Sequence, residues 1–272
     1  MLLKVCSMQT LLYAAIMFCP PPCTALDDAA KTFSTPRFTL HVGANKTSSL
    51  GKSPYVDGVV DDSIQVLNDT YEELKRVFDA TPHKRVYLRF LAPDEFQTET
   101  GSPAWTSAMY YAGEITVPLS LQESINFRHL KRALRHEYVH AVVAELSDSR
   151  CPAWLDEGLA QLIEGEPNPL LGPALRKWAK TSAPMSLDSL QNGFTLLDDS
   201  LVPAAYAESL FATRTLVNRR GFAAIRSYLT HLHENRPLAE AFELSFGEKQ
   251  EAFEKQLAPQ IVRWAESANQ SP

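Results

Sequence analysis

The chain has 272 residues with 45% apolar content, which is enough to bury the core of one large domain or two small ones. Its formal net charge is −6, and acidic and basic side chains are interspersed along the chain. Because a phosphate backbone is bound by clustered positive charge, this distribution argues against nucleic acid as a partner.

The first 25 residues have the pattern of a signal peptide. Lys4 supplies a positive charge, an apolar run covers 11–18, and prolines at 20–22 end that run, which is too short to span a bilayer. Small residues then lead to a cleavage site near Ala25. We therefore expect a secreted or periplasmic protein with no stable membrane insertion after cleavage. An uncleaved membrane anchor is the less favoured alternative, and the prolines argue against a core helix of a cytoplasmic protein.

The predicted cleavage determines which cysteines remain in the mature chain. Cys6, Cys19 and Cys23 lie in or at the end of the predicted signal, so Cys151 is the single cysteine expected in the mature chain. One cysteine provides no disulfide framework. We expect Cys151 to be packed and unreactive. Metal ligation is the less favoured alternative, because structural zinc usually takes several cysteines.

The residues after the signal predict a strand, a helix and a second strand. Segment 37–42 alternates between apolar and polar residues as a strand does, and the polar segment 43–54 is typical of a loop. Apolar residues then recur at helical spacing from 59 to 78, and 85–91 predicts another strand.

The stretch 108–119 predicts further strand, as a hairpin that turns at Ala112-Gly113. Val117-Pro118 indicates that this stretch ends at a sheet edge, because proline cannot donate to a strand ladder. Beyond residue 121 the apolar spacing predicts only helices. These are expected at 122–146, 153–164, 170–180, 203–219, 221–233 and 247–267.

The predicted fold class is α+β. A signal peptide at 1–25 is followed by a small mixed α/β unit at 26–120, which carries an edge strand, and by a mainly helical unit at 121–272. The two units together make one domain, and a functional site is expected where they meet.

The helix expected at 122–146 contains the sequence His136-Glu137-Tyr138-Val139-His140. Two histidines four residues apart project from one face of a helix, so both imidazoles can bind the same metal ion. Glu137 lies one step around the helix, where its carboxylate can meet a metal-activated water and act as a general base. The alternative is a salt-linked helix surface with incidental histidines. Catalytic zinc takes three protein ligands, so a third ligand is expected from another element.

These residues carry a family resemblance. HEYVH followed by WLDEGLAQ at 154–161 resembles the gluzincin metallopeptidases, specifically the peptidase MA-like group, in which a W-x-x-E-G-x-A segment holds the third ligand. The stretch 205–211 resembles a Tyr-Ala-x-Ser segment of that group, and 103–117 fits its edge-strand region. The resemblance extends over about 37–265, with its specific matches at 136–161 and 205–211.

The resemblance implies a thermolysin-like architecture that binds Zn²⁺ and acts on peptide or protein substrates. His136, His140 and Glu157 would be the zinc ligands, and Glu137 the general base and proton shuttle. Tyr206 would donate a hydrogen bond to the tetrahedral oxyanion. For Tyr206 the alternative is a core tyrosine on an apolar helix face, because helical spacing alone also accounts for that position.

Three further side chains have open roles. Asp156 precedes the expected third ligand and is favoured as a charge at a helix N-terminus over a catalytic role. Gln161 is a candidate for orienting the ligand, at a position where many thermolysin-like enzymes have aspartate. Glu114 lies on the strand before the metal helix, where aminopeptidases of the wider clan bind the substrate's amino terminus. The sequence around Glu114 resembles that pattern too loosely to predict an aminopeptidase.

The functional expectation is zinc-dependent hydrolysis of a peptide bond, with Glu137 as general base towards the attacking water. The alternative of a different class is a non-catalytic envelope binding or assembly protein that retains the gluzincin fold and the zinc site. Substrate identity, endo- or exo-cleavage and oligomeric state do not follow from the residues.

Overall fold

A computed structural model describes residues 30–46, 48–80, 82–101, 106–121, 126–165, 171–194 and 197–267. The predicted signal peptide lies outside these residues, so its cleavage stays a prediction. Within the described part of the chain, no helix combines the length and apolar character needed to cross a bilayer.

The chain divides into two compact units. One comprises Met1–Leu67, His83–Glu137 and Thr195–Asp199, and the other comprises Asn68–Pro82, Tyr138–Phe194 and Ser200–Pro272. Neither unit is a continuous segment of sequence. The predicted separate units at 26–120 and 121–272 stay a prediction, whereas the α+β fold class is confirmed.

The first unit is built on a five-stranded mixed sheet in the order β1-β2-β3-β5-β4. Strands β2, β3 and β5 are parallel to their neighbours within this trio, and the edge strands β1 and β4 are antiparallel to β2 and β5. The strand bounds are β1 Lys31–Ser34, β2 Phe38–Val42, β3 Val86–Leu91, β4 Met109–Tyr111 and β5 Glu114–Pro118.

The burial of the inner strands accounts for their apolar residues. Every residue of β2 is buried, as expected for a parallel strand with both faces covered, and β3 buries Val86, Leu88 and Phe90. Helix α1 (Tyr55–Phe78) connects the parallel strands β2 and β3. Helix α2 (Pro93–Thr100) follows β3 and was not predicted, because its eight residues contain one buried side chain, Phe96.

The predicted hairpin is confirmed as β4 and β5. Ala112 and Gly113 both have positive φ, 48° and 92°, as a two-residue hairpin turn requires. The expectation that this stretch ends at a sheet edge is wrong for its second strand, because β5 pairs with both β3 and β4. Pro118 is the last residue of β5, where its missing N–H interrupts the ladder least, and the edge strand is β4.

The second unit consists of helices. Most lie within a few residues of the predicted bounds, but α7 was not predicted. The long helix α6 contains a kink at Gly221 (φ 74°, ψ 171°), which is where the sequence predicted two helices to meet. The bounds are α3 Phe127–Ser147, which begins in the first unit, α4 Ala153–Ile163, α5 Leu171–Ala179, α6 Val202–His233, α7 Leu238–Phe246 and α8 Gln250–Glu266, with a short 3-10 helix at Leu187–Leu190. Another 3-10 helix, Ser49–Lys52, lies in the first unit.

Helices α4 and α6 pack in direct backbone contact. A Cβ added at Gly158 would lie 2.0 Å from Oγ1 of Thr213 and 2.6 Å from the carbonyl oxygen of Ser209, which no side chain tolerates. Trp154, four residues before Gly158, is fully buried and anchors the start of α4. Gly158 therefore sets the distance of α4 from α6.

Candidate metal centre

His136, Glu157 and His140 come together as predicted. His136 and His140 lie one turn apart on α3, and Glu157 lies on α4. Each offers one ligand atom, and the three atoms lie within 4.8 Å of one another. All three side chains are half-buried, so a small ion can reach them from solvent.

The apolar face of α3 and the turn that follows it position these ligands. Leu134, Val139 and Val143 are fully buried on α3, which fixes the rotation of the helix. Asp148 and Ser149 then adopt positive φ, 52° and 57°, and end the helix. The chain reverses over these residues, so α4 returns Glu157 towards the helix that carries His140.

The donor set fits zinc. Two imidazole nitrogens and one carboxylate oxygen are the donor types of a catalytic zinc site that leaves a position open. Nε2 of His140 lies 3.9 Å from Oε2 of Glu157. Ligand atoms on one tetrahedral zinc are roughly 3.4 Å apart, so small side-chain adjustments suffice for both to bind.

Asp156 contacts a predicted ligand. It lies in the first turn of α4, as a helix N-terminal charge would. Its Oδ1 also lies 2.9 Å from Nδ1 of His140. A carboxylate there favours the tautomer with its proton on Nδ1, which puts the lone pair on Nε2, the atom that would bind a metal.

Glu137 is oriented by the sheet of the first unit. The backbone N–H of Tyr110 on the edge strand β4 donates a hydrogen bond of 2.7 Å to Oε2 of Glu137. A hydrogen bond from a backbone amide to a carboxylate is charge-assisted and directional. The carboxylate next to His136 is therefore held at a defined place, a contact that the sequence did not predict.

Tyr206 lies on α6 and is half-buried. Its ring packs edge-to-face on Phe194, with 4.8 Å between the ring centroids. Its carbonyl oxygen accepts a hydrogen bond of 3.0 Å from Nε2 of Gln161. The predicted hydrogen bond from Tyr206 to an oxyanion stays a prediction.

Gln161 connects the two helices through main-chain atoms. The same Nε2 donates a hydrogen bond of 3.1 Å to the carbonyl oxygen of Glu157, one turn earlier on α4. The orienting contact of Gln161 is thus to the backbone of Glu157 and Tyr206, a pairing that no sequence pattern indicates.

Glu114 takes part in an ion-pair network within the sheet. Nε of Arg89 and the hydroxyl of Thr116 donate to its Oε1 at 3.0 and 3.1 Å. Arg89 also pairs with Glu99. These contacts give Glu114 a structural partner and do not support a role in binding a substrate amine.

Cys151 is the free cysteine of the described residues and is not part of the metal-binding group. Burial first, and then the charge of Asp156, raise the pKa of its thiol well above the ordinary value. The thiol therefore stays protonated at neutral pH, which makes it a poor ligand and nucleophile, in agreement with a packed cysteine.

Glu208 is a buried carboxyl group that the sequence did not single out for any role. It is 1% exposed, and the backbone N–H of Met185 donates 3.1 Å to its Oε2. Burial raises its pKa to about 8, despite that hydrogen bond, and the nearby Glu254 adds to the rise. Both carboxyl groups line a cavity of about 120 Å³.

Comparisons with known proteins place these residues in a family. The sequence profile of the peptidase MA superfamily matches residues 86–263, which is more than half of the chain. No curated protein matches.

Solved structures of M1 zinc metallopeptidases are similar at 18% identity. A glutamate-to-alanine mutant from Deinococcus radiodurans, bound to a Tyr-Ser-Ala substrate, has a TM-score of 0.40. The match covers 89% of this chain and 53% of that chain. A two-domain mutant bound to L-arginine has a TM-score of 0.41, with 89% and 52% covered. The chain spans about half the length of these structures. On the extent of the profile match, the chain belongs to the peptidase MA superfamily.

Proposed function

We propose that the protein is a zinc-dependent metallopeptidase that hydrolyses peptide bonds of peptide or protein substrates. The observation that carries this proposal is the approach of His136, His140 and Glu157 to within 4.8 Å, next to a Glu137 carboxylate held by a backbone amide. Membership of the peptidase MA superfamily supports the same chemistry.

His136, His140 and Glu157 would hold the zinc. When bound, zinc supplies Lewis acidity, which polarises a carbonyl and lowers the pKa of a water molecule. The contact of Asp156 with Nδ1 of His140 supports this assignment, because an oriented imidazole presents Nε2 to the ion.

Glu137 would act as the general base and then as the general acid. Its carboxylate takes a proton from the attacking water and passes it to the leaving amine as the peptide bond breaks. The N–H of Tyr110 donates to Oε2 and holds the carboxylate in place for that transfer. The hydroxyl of Tyr206 would donate a hydrogen bond to the oxyanion of the tetrahedral intermediate.

The substrate would bind in an extended form. Strand β4 is an edge of the sheet, with β5 on one side, and an extended peptide beside it would pair with backbone groups other than the Tyr110 N–H, which binds Glu137. This mode agrees with a peptidase, because the backbone that is recognised also contains the bond that is cut.

The test is a peptide-library digest analysed by mass spectrometry, with zinc-replete wild type and Glu137→Ala side by side. We expect one zinc per chain in both proteins and cleavage by wild type alone. Glu145→Gln is a matched control, because it removes a carboxylate two turns further along α3 and should leave cleavage unchanged.

Two results would overturn the proposal. Absence of stoichiometric zinc after metal-replete preparation contradicts the metal site, and cleavage that persists in Glu137→Ala contradicts the role of the base. Zinc-loaded wild type that cleaves no peptide over a range of pH would instead favour the non-catalytic binding or assembly protein.

We also propose that the mature chain is secreted or periplasmic and begins after Ala25. The support is the charged start, apolar run and small residues of 1–25. The intact mass of the protein recovered from the native host's extracytoplasmic fraction tests this. A full-length mass, or recovery from the cytoplasm alone, would contradict it.

A further inference from the structure

The amide group of Gln161 bridges the helix of a proposed ligand and the helix of the proposed oxyanion donor. Nε2 donates to the carbonyl oxygens of Glu157 and Tyr206, at 3.1 and 3.0 Å. We infer that Gln161 is a positioning residue that fixes Tyr206 relative to Glu157. The inference rests on the proposed function and deepens it, because it explains how the metal ligand and the oxyanion donor are kept in one arrangement.

The chemistry of the two partners determines how the amide is oriented. Both are carbonyl oxygens and can only accept, so the NH₂ group must face them, and its two hydrogens suffice for two acceptors. Gln161 is 8% exposed, so water does not readily replace these bonds. A carboxylate at this position would place negative oxygens against two carbonyls, so an amide fits the two acceptors where an acid would not.

The packing beside Gln161 makes the bridge stiff. Gly158, three residues earlier on the same face of α4, brings the backbone against Ser209 and Thr213 of α6. Tyr206 and Ser209 are likewise three residues apart on the facing stripe of α6. The helices therefore meet through a close backbone contact and, one turn along, through the Gln161 bridge.

Tyr206 is restrained at both of its ends. Gln161 binds its carbonyl oxygen, and Phe194 packs edge-to-face on its ring at 4.8 Å. A hydroxyl that stabilises a developing oxyanion has to sit within hydrogen-bond distance of it before the reaction begins. Displacement of such a group by about 1 Å can lower the rate by up to 10²-fold, so the restraints on Tyr206 matter for catalysis.

The first measurement does not depend on activity. In metal-free protein, Gln161→Leu should increase amide hydrogen exchange in the first turns of α6, at 202–210, because the bridge to the Tyr206 carbonyl is lost. Thr213→Val is the matched control, because it changes the same helix contact without touching that carbonyl, and it should leave exchange at 202–210 unchanged. Unchanged exchange in Gln161→Leu would overturn the inference.

The second measurement is a double-mutant cycle on kcat. We expect Gln161→Leu to lower kcat on the order of tenfold, with KM and zinc content unchanged, and to have less than about a twofold effect in the Tyr206→Phe background. Equal losses of kcat in both backgrounds would overturn the inference, because Gln161 would then act independently of Tyr206. Wild type without activity contradicts the proposed function, while hydrogen exchange still tests the bridge.

Discussion

Asp156 and His140 form a contact in which Oδ1 of the carboxylate lies 2.9 Å from Nδ1 of the imidazole. Asp156 directly precedes the proposed ligand Glu157 on α4, so one helical turn supplies both a ligand and the group that orients another ligand. The proposed site is therefore a network in which α4 acts on the metal directly and through α3.

This contact predicts an effect on metal affinity. Asp156→Ala should weaken zinc binding by about 10- to 100-fold, because the imidazole loses the partner that fixes its tautomer and orientation. Asp156→Asn should weaken zinc binding less than Asp156→Ala does, since an amide oxygen can still accept a hydrogen bond from Nδ1. Competition with a chromogenic zinc chelator measures both. Asp148→Asn, in the turn before α4, is the control, and equal affinities for Asp156→Ala and wild type would contradict the role.

The hydrogen bond from the backbone N–H of Tyr110 to Glu137 predicts that removal of this N–H lowers kcat. Tyr110→Pro removes the N–H that binds Oε2 of Glu137, and proline is tolerated on an edge strand when its N–H is not part of the ladder. We expect kcat to fall on the order of tenfold with zinc content retained. Tyr110→Phe keeps the N–H and serves as control. The measurement is steady-state hydrolysis of a peptide found in the library digest, and equal kcat values for the two variants would argue against the backbone contact.

Gly158 predicts a steric effect on stability. Gly158→Ala forces a methyl group against Thr213 and the Ser209 carbonyl, which should destabilise the protein by about 1–3 kcal/mol. Gly58→Ala in α1 is the matched control, because a Cβ there meets nothing within 4 Å, and alanine in a helix should be neutral or stabilising. Denaturant unfolding compares the two, and equal stabilities would show that α4 moves away from α6 without cost.

Glu208 predicts the pH dependence of stability. The folded protein keeps this proton up to about pH 8, whereas an ordinary glutamate loses it near 4.5, because burial and Glu254 disfavour the charged form. The folded state therefore binds more protons than the unfolded chain between these values, and the free energy of unfolding falls as pH rises through this interval. Above about pH 8 both states are ionised, and this contribution levels off.

Glu208→Gln should remove most of that slope. At pH 9 the variant should be more stable than wild type by an amount on the order of a few kcal/mol, since each pKa unit corresponds to about 1.4 kcal/mol. Denaturant unfolding from pH 5 to pH 9 measures this, with the exposed Glu251→Gln as control. An identical slope in Glu208→Gln and wild type would show that another group is responsible.

Local pattern made part of this structure predictable from the sequence. Helical spacing and four-residue separation placed His136 and His140 on one face of α3, and Ala112-Gly113 indicated the hairpin because both residues accept positive φ. The third member of the metal-binding group, Glu157, came from a family resemblance, because a ligand on another helix leaves no periodic signal. The structure then brought Glu157 to the two histidines.

The missed features depend on contacts that are distant in sequence. Gln161 and Tyr206 are joined through a main-chain carbonyl, which has no residue-specific signature. A glutamate in a helix usually faces solvent, so the residue type does not predict that Glu208 is buried. Its burial arises from α8 and the segment around Met185. Strand β1 has four residues that alternate between half-buried and exposed, so its apolar pattern was too weak to predict.

The most direct test of the central proposal is the rate at which zinc-loaded Glu137→Gln hydrolyses the peptide that wild type cleaves best. Glutamine keeps the shape of the side chain and cannot take the proton, so we predict a fall in kcat of about 10²- to 10⁴-fold with one zinc still bound per chain. An undiminished kcat in that zinc-loaded variant would contradict the account of this chain as a metallopeptidase that uses Glu137 as its base.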